Sequence, residues 1–537
     1  MASALNAQKN NVVDSLLQEL AKAEEDTTRV RLMNALALSV FKSSQDSAFL
    51  WLEPAISLAE EIKDSVGLFE VWDTKGRVFE RMGKLDSAIY FLERAEGIAS
   101  MLGDKRRQAR SLYFIGRTYR KQNKKRLAIN SLNKSLAFST AIHDKSLQFS
   151  AVNILGTVYS SMAIYDSAEI YSLRALELQY ELGNKIYQAG ILRNLGNNAT
   201  RANNLEKALD YFEQGIVIME ESGNRSQQAI LYRMMGYSCF VFGQFPRAIN
   251  YYQNALAVCD LDTDKDNVLA SWTELSEVYA SMHDYEQALA LIEKVQSLEQ
   301  DSGNVKDAAV FLIRKGKLLY LKDDHESALQ ELNIALRLLD ENNVTIDRFE
   351  LYLYLGHCYE HLTQLDSSIY FFKKAVESSD GKGYFPEKSR ALKNLGSVYF
   401  QHGQIDSAVY YLESAIETAV IAGNREYRMA ASQILYEIYK GQDNTDLALY
   451  YHENYRNLQD SLFNEENIKK IALLEAEYAF NQEKQELADK RKQEIQEHEE
   501  SQRILGISLG IALLLIAIFF WYYRPNSWFL EQKKPVC

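Results

Sequence analysis

The apolar positions of the chain recur at helical spacing within blocks of 40 residues. One phase of this period holds small residues: glycine stands at 76, 116, 156, 196, 236, 316, 356 and 396, and Leu36, Ser276 and Tyr436 occupy the same register. Twelve residues further on, ten repeats have alanine and one has serine: Ala48, Ala88, Ala128, Ala168, Ala208, Ala248, Ala288, Ala328, Ser368, Ala408 and Ala448. A fixed period of this length indicates a stack of similar units. We therefore predict about eleven helical hairpins.

Each repeated position has a packing reason. Glycine and alanine at facing positions let two helices approach closely, and an aromatic residue three positions after the glycine fills the space beside that contact. A polar turn followed by aspartate, as at Asp86 and Asp406, predicts a carboxylate cap on the second helix. Glycine followed by Asn or Asp, as at Gly183 and Gly423, predicts a left-handed residue just past that helix.

The order of these residues resembles the tetratricopeptide repeat (TPR). One copy of the motif is echoed by Leu112, Ile115, Gly116, Tyr119, Ala128 and Leu132, and another by Leu392, Leu395, Gly396, Tyr399, Ala408, Leu412 and Ala415. The 40-residue period exceeds the usual 34, which we interpret as a longer second helix and turn. The resemblance implies an all-α fold, a right-handed α-solenoid over residues 26–455, with peptides bound on the concave face of the first helices.

The segments on either side of the repeats differ from them in composition. Residues 10–25 predict an amphipathic helix that caps the first hairpin, and residues 1–9 are either the remnant of a signal peptide or a disordered terminus. Residues 456–503 begin with a heptad-like apolar stripe and become almost wholly polar. They predict a charged juxtamembrane helix with a weak coiled-coil start, which leaves a weak dimer open.

Residues 504–523 contain no charged side chain and predict a transmembrane helix. Twenty helical residues span about 30 Å, the thickness of the hydrocarbon core of a bilayer. Trp521, Tyr522 and Tyr523 would lie at one interface, before a short tail over residues 524–537. Basic residues on the two sides of the span are too evenly divided to orient it. The sequence therefore predicts a single-pass membrane protein.

The composition argues against several functional classes. A formal net charge of −13 disfavours nucleic acid as a partner. His357, Glu360 and His361 match the H-x-x-E-H order of a zinc peptidase family. Gly356 and Tyr359 are repeat-framework residues, however, so this stretch is already explained as a first helix. We predict no enzymatic activity, no cofactor and no metal site.

Basic and amide side chains recur on the predicted concave face. The positions six and three before, and one and four after, the glycine phase hold Arg77, Arg110, Arg117, Arg120, Asn153, Arg193, Asn197 and Arg233. Such a surface suits carboxylates or an extended peptide backbone. We therefore predict a protein or peptide partner in this groove. Arg193 with Asn197 partly resembles the carboxylate clamp of chaperone-binding TPR proteins, but Ile230 and Met234 depart from that pattern.

The order of solenoid, charged helix and single span also resembles the sensor half of bacterial membrane-anchored TPR signalling proteins of the histidine kinase or helix-turn-helix regulator type. Only Arg524 to Cys537 follow the span, so an output domain is either lost or carried by a separate protein. This resemblance implies a protein- or peptide-binding sensor or scaffold, the input half of a signalling system, with an extracytoplasmic (periplasmic) solenoid. The alternative is a tail-anchored adaptor whose solenoid is cytoplasmic.

Overall fold

The computed structural model describes residues 12–41, 45–261, 263–299, 304–380 and 384–462, together with residue 518. Regular structure in these ranges is helical, without a strand. The helices are α1 (12–20), α2 (Thr27–Val40), α3 (Gln45–Glu61), α4 (Ser65–Arg81), α5 (Leu85–Met101), α6 (Lys105–Lys121), α7 (Lys125–Ala141), α8 (Lys145–Ser161), α9 (Tyr165–Leu182), α10 (Lys185–Arg201), α11 (Leu205–Glu221), α12 (Arg225–Val241), α13 (Phe245–Val258), α14 (Lys265–Ser281), α15 (Tyr285–Glu299), α16 (Val305–Leu321), α17 (His325–Glu341), α18 (Phe349–His361), α19 (Leu365–Ser379), α20 (Phe385–Gln401), α21 (Ile405–Ala422), α22 (Arg425–Gly441) and α23 (445–462).

The helices belong to two compact units, Met1–Leu362 and Thr363–Cys537. The first unit contains α1 to α18 and the second contains α19 to α23. In chain order, α2 to α23 fall into eleven pairs of a first and a second helix, as the repeat predicts. In α1, Leu20 is buried, and Val13 and Leu16 pack against the core of the first hairpin.

Several predicted segments lie outside the described residues. They are residues 1–9, most of the juxtamembrane segment after residue 462, the 504–523 span except for residue 518, and the 524–537 tail. Within the ranges that the structure describes, no helix combines the length and the apolar composition that a bilayer crossing requires.

Close packing inside each hairpin confirms the role of the small residues. The repeated alanines from Ala48 to Ala408 are fully buried, and so is Ser368. A Cβ atom built on Gly116 would lie 2.6 Å from Cγ of Leu132, sixteen residues later on the second helix. The predicted aromatic residue stacks on a second ring in the same hairpin, as with Tyr399 and Tyr411, whose ring centroids are 5.3 Å apart. Glycine therefore makes room for the large residue at the sixteenth position.

The predicted caps on the second helices are not formed. Helices α5, α9, α19 and α21 begin without a side-chain cap hydrogen bond, and Asp86 and Asp406 lie inside the first turn instead. A carboxylate there faces the positive end of the helix dipole rather than a free N–H. Asn and Asp after the glycines cap the first helices: Asn184 accepts from the Tyr187 amide at 3.2 Å. Gly183 has φ of 74°, which confirms the predicted left-handed turn.

First helices of successive repeats contact each other within the first unit. Helix α4 contacts α6, α6 contacts α8, α10 contacts α12, and α12 contacts α14. They therefore share one surface, which we call the first-helix face: the exposed side of α4, α6, α8, α10, α12, α14 and α16. This is the surface on which the sequence places the predicted groove.

Candidate functional site

All eight predicted groove residues lie on the first helices. Arg77 is on α4, Arg110, Arg117 and Arg120 on α6, Asn153 on α8, Arg193 and Asn197 on α10, and Arg233 on α12. Each is half-buried between neighbouring repeats. The eight do not form one basic site, because the arginines and the asparagines have different surroundings.

Carboxylates of the adjacent repeat neutralise two of the three predicted arginines of α6, Arg110 and Arg117. Arg110 donates through Nη2 to Glu70 at 2.6 Å and to Asp73 at 3.0 Å, both on α4. Arg117 donates through Nε to Glu80 at 2.9 Å. Carboxylates 37 or 40 residues earlier, on the preceding first helix α4, therefore face these guanidinium groups.

Arg77 and Arg233 are also paired. Arg77 lies 3.6 Å from the buried Asp73 carboxylate, one turn away on α4. Arg233 donates through Nε to Glu274 on α14 at 3.0 Å and through Nη1 to Asn267 at 3.1 Å. The predicted basic concavity is thus largely engaged in contacts between repeats, a role that the sequence analysis missed. Arg120 and Arg193 make no ion pair among the described contacts, and the Nε of Arg120 is buried without a hydrogen-bond partner there.

The pKa values of the two buried carboxyl groups of α4, Asp73 and Glu80, shift in opposite directions from their usual values. Burial alone would raise the pKa of Glu80, but hydrogen bonds and charge from Arg117 and Lys121 outweigh it and hold that pKa below its usual value. At Asp73 burial is the strongest influence and raises the pKa, against the charges of Arg110 and Arg77. Burial would lower the pKa of Arg117, yet Glu80 raises it. These guanidinium groups are therefore charged and already occupied.

The asparagines surround a separate cavity of about 250 Å³, which we call the amide pocket. It lies between α8, α9 and α10. Its lining consists of Asn153, Asn194, Asn197 and Asn198, the hydroxyl residues Thr157, Ser160, Ser161 and Ser172, and Gly156 and Arg201. No carboxylate lines it, so its single formal charge is that of Arg201. The structure thus brings together two of the predicted residues, Asn153 and Asn197.

The amide pocket exists because a small polar residue occupies a position that a large core side chain usually fills. Nine of the eleven repeats place a large apolar or aromatic residue sixteen positions after the glycine phase, such as Leu132 and Phe212, both fully buried. The repeat of Gly156 has Ser172 at that position, with its Oγ only 2.8 Å from where a Cβ of Gly156 would be. A small polar residue where the fold requires a large one leaves the cavity open. Ser172 departs from the repeat pattern in the sequence itself. It lies on a second helix, however, whereas the predicted groove residues all lie on first helices.

Several polar groups of the amide pocket are not used by the fold. Ser160 donates to Oδ1 of Asn198 at 2.5 Å, which leaves the Asn198 Nδ2 hydrogens available. Ser172 and Asn198 are each only 7% exposed. Among the described contacts, neither the Ser172 hydroxyl nor the side-chain amides of Asn153 and Asn197 form a hydrogen bond. None of these atoms is sealed in the core without a partner among the described residues, so they face the cavity and can offer both donors and acceptors to a ligand.

The histidines of the H-x-x-E-H stretch join an aromatic cluster. The ring of His361 stacks on that of His325 with centroids 4.0 Å apart, and the ring of Tyr320 lies 5.4 Å from that of His357. Burial and the neighbouring His361 lower the pKa of His325. In the part of the chain that the structure describes, no group of three or more His, Cys, Asp or Glu side chains is placed to hold a metal ion.

Comparison with known proteins identifies the repeat. The family model of the tetratricopeptide repeat matches residues 71–141, 227–301 and 347–419. These three segments match the tetratricopeptide repeat. No curated protein sequence matches the chain.

Solved structures with a similar arrangement of helices share little sequence with this chain. The apo form of RapI is 16% identical and aligns over 65% of this chain and 97% of its own, with a TM-score of 0.44. The apo quorum sensor NprR from B. thuringiensis is 13% identical over 67% and 99%, with a TM-score of 0.43. BtubC from P. vanneervenii is 21% identical over 41% and 92%, with a TM-score of 0.35.

Proposed function

We propose that this TPR protein is a membrane-anchored scaffold that binds an extended peptide segment of a partner protein on its first-helix face. The observation that carries the proposal is the amide pocket, where Ser172 stands at a core position and where the side-chain amides of Asn153 and Asn197 form no hydrogen bond among the described contacts. Each residue of an extended peptide offers one N–H donor and one C=O acceptor. A side-chain amide offers the matching acceptor and donors. Asparagines on adjacent first helices can therefore hold a peptide backbone.

Two arginine side chains on α10, Arg193 and Arg201, add positive charge to the proposed binding surface. Arg201 lies at the amide pocket and is exposed, and Arg193 lies on the same helix without an ion pair among the described contacts. Neither is neutralised in the way Arg110 and Arg117 are. Guanidinium groups in such a position favour the carbonyl oxygens or carboxylates of a ligand.

Substitution of the pocket asparagines tests the binding site. A display library of random twelve-residue peptides is selected on the full chain in detergent, and the selected peptides are titrated by fluorescence anisotropy. We expect Asn153→Ala with Asn197→Ala to weaken binding on the order of tenfold, because two hydrogen-bonding positions for the backbone are lost. Asn130→Ala, an exposed amide on the second helix α7, is the matched control and should leave affinity unchanged. Equal affinity of the double variant and the control would remove the amide pocket from the proposal.

The anchor and the signalling role are also proposals. The uncharged 504–523 segment supports a single membrane span, and its place after the repeats supports a role as the input half of a signalling system. In that arrangement the repeats are extracytoplasmic; in the alternative they belong to a tail-anchored cytoplasmic adaptor. Protease added to intact spheroplasts separates the two: cleavage of the repeats supports the sensor, and protection supports the adaptor.

A further inference from the structure

A second cavity opens on the first-helix face, four helices further along the chain from the amide pocket. It has a volume of about 570 Å³ and lies between α12, α14 and α16, with α15 beneath; we call it the charged cavity. Its floor is apolar, because Ile292, Val295 and Phe311 are buried there with exposures of 2%, 6% and 4%. Volumes of 300–1,000 Å³ with an apolar lining and a few polar groups are typical of ligand sites.

The walls of the charged cavity carry an excess of negative charge. Four carboxylates line it against two guanidinium groups, a formal difference of −2. One pair cancels internally, since Arg233 holds Glu274 through two donors. Arg314 donates to the hydroxyl of Thr273 at 3.2 Å.

The remaining carboxylates belong to Asp266, Glu277 and Asp307. Asp307 accepts a hydrogen bond from Asn304. The carboxyl groups of Asp266 and Glu277 make no ion pair or hydrogen bond among the described contacts, and both residues are exposed. Burial of its carboxyl group raises the pKa of Glu277, against the charges of Lys317 and Arg314. The cavity therefore combines an apolar floor with carboxyl groups whose charged form an added cation would favour.

We propose that the charged cavity is the anchor site for an arginine side chain of the peptide that binds the first-helix face. This inference rests on the proposed function and names the specificity of the same surface. An arginine packs its three-methylene stem along apolar surface while its head stays near polar groups. Here the stem would contact Phe311 and Ile292, and the guanidinium would reach Glu277 and Asp307. Tyr237, half-exposed at the rim, offers an aromatic face to the same cation.

The positions of the two cavities also predict a spacing within the peptide. Helix α10 of the amide pocket contacts α12, and α12 contacts α14 of the charged cavity. Helices in contact lie about 10 Å apart, so two steps cover about 20 Å. An extended chain advances about 3.3 Å per residue. The arginine should therefore lie about six residues from the segment held by the amide pocket.

The test combines a change in the protein with a change in the peptide. Peptides selected on the full chain are expected to be enriched in arginine, and replacing that arginine by glutamine should weaken binding to the wild-type protein on the order of tenfold. In the Glu277→Gln/Asp307→Asn variant, the two peptides should bind with nearly equal affinity. The Glu177→Gln/Glu417→Gln variant changes the same number of charges on exposed positions of second helices and should keep the wild-type difference.

The possible outcomes distinguish failure of the arginine anchor site from failure of peptide binding itself. Selected peptides without a basic preference would overturn the anchor site and leave peptide binding intact. Failure to select any peptide would overturn both. Free arginine or spermidine that displaces the peptide at equimolar concentration would make the cavity a site for small cations and would overturn its peptide role. Circular dichroism of the variant confirms its folding, and the peptide substitution on wild-type protein does not depend on it.

Discussion

Replacing Gly196 by alanine is expected to lower the free energy of unfolding by about 2 kcal/mol, because it overpacks a core contact. A Cβ atom on Gly196 would lie 2.4 Å from Cε1 and 2.6 Å from Cζ of Phe212. The Phe212 ring is fully buried in the core and cannot move without disturbing its neighbours. Alanine has a higher helix propensity than glycine, but this gain would offset only part of the cost of overpacking. Urea unfolding followed by circular dichroism measures the difference.

Gly190 of the same helix α10 is the matched control. No atom lies within 4 Å of a Cβ built at that position. Alanine there should raise stability by about 0.5–1 kcal/mol, since glycine inside a helix carries an entropic cost. Opposite signs for Gly190→Ala and Gly196→Ala would distinguish packing from helix propensity. A stabilising effect of both would contradict the close helix contact described for the hairpins.

Replacing Glu80 by glutamine is expected to lower the free energy of unfolding by about 2 kcal/mol at neutral pH, because it removes a buried counter-charge that Arg117 and Lys121 share. The Glu80 side chain is fully buried and accepts from Arg117, with Lys121 Nζ 3.0 Å from its Oε1. Glu221→Gln breaks the exposed pair with Lys185 and should cost less than about 1 kcal/mol. Comparable losses for both variants would contradict the role of burial.

The Glu80 effect also has a predicted pH dependence. Its folded-state pKa lies below the ordinary value of 4.5, so its ionised form stabilises the folded protein. That stabilisation is present above the unfolded-state pKa and is lost as pH falls through the folded-state value. The difference between wild type and Glu80→Gln should therefore be constant from neutral pH down to about 5 and should shrink at more acidic pH. Unfolding curves across this range measure it.

The repeat fold could be predicted from the sequence because its core contacts recur within one period. Gly116, Ala128 and Leu132 lie within a single hairpin, so their spacing fixes their packing. The electrostatics of the first-helix face could not be predicted in the same way. Glu70 and Glu80 meet Arg110 and Arg117 across two repeats, and such pairing depends on which turns of adjacent helices face each other.

The candidate site was predicted in part. Asn153 and Asn197 were identified from their positions on first helices, and both line the amide pocket. Ser172 was missed because it lies on a second helix, at a position that nine of the repeats use for core packing. The predicted caps at Asp86 and Asp406 were wrong by two positions: the N-cap residues are Lys84 and Gln404, and the aspartates lie inside the first turn, near the positive end of the helix dipole.

The proposal that the amide pocket holds a partner peptide is tested most directly at Ser172. Substitution by leucine restores the residue type that Leu132 provides in the preceding repeat and fills the cavity. We predict that the Ser172→Leu full chain keeps or gains stability against urea and loses affinity for the selected peptide on the order of tenfold or more. Ser172→Ala, which keeps the volume of the cavity, should retain most of the affinity. Unchanged peptide affinity in a stably folded Ser172→Leu protein would contradict the proposal.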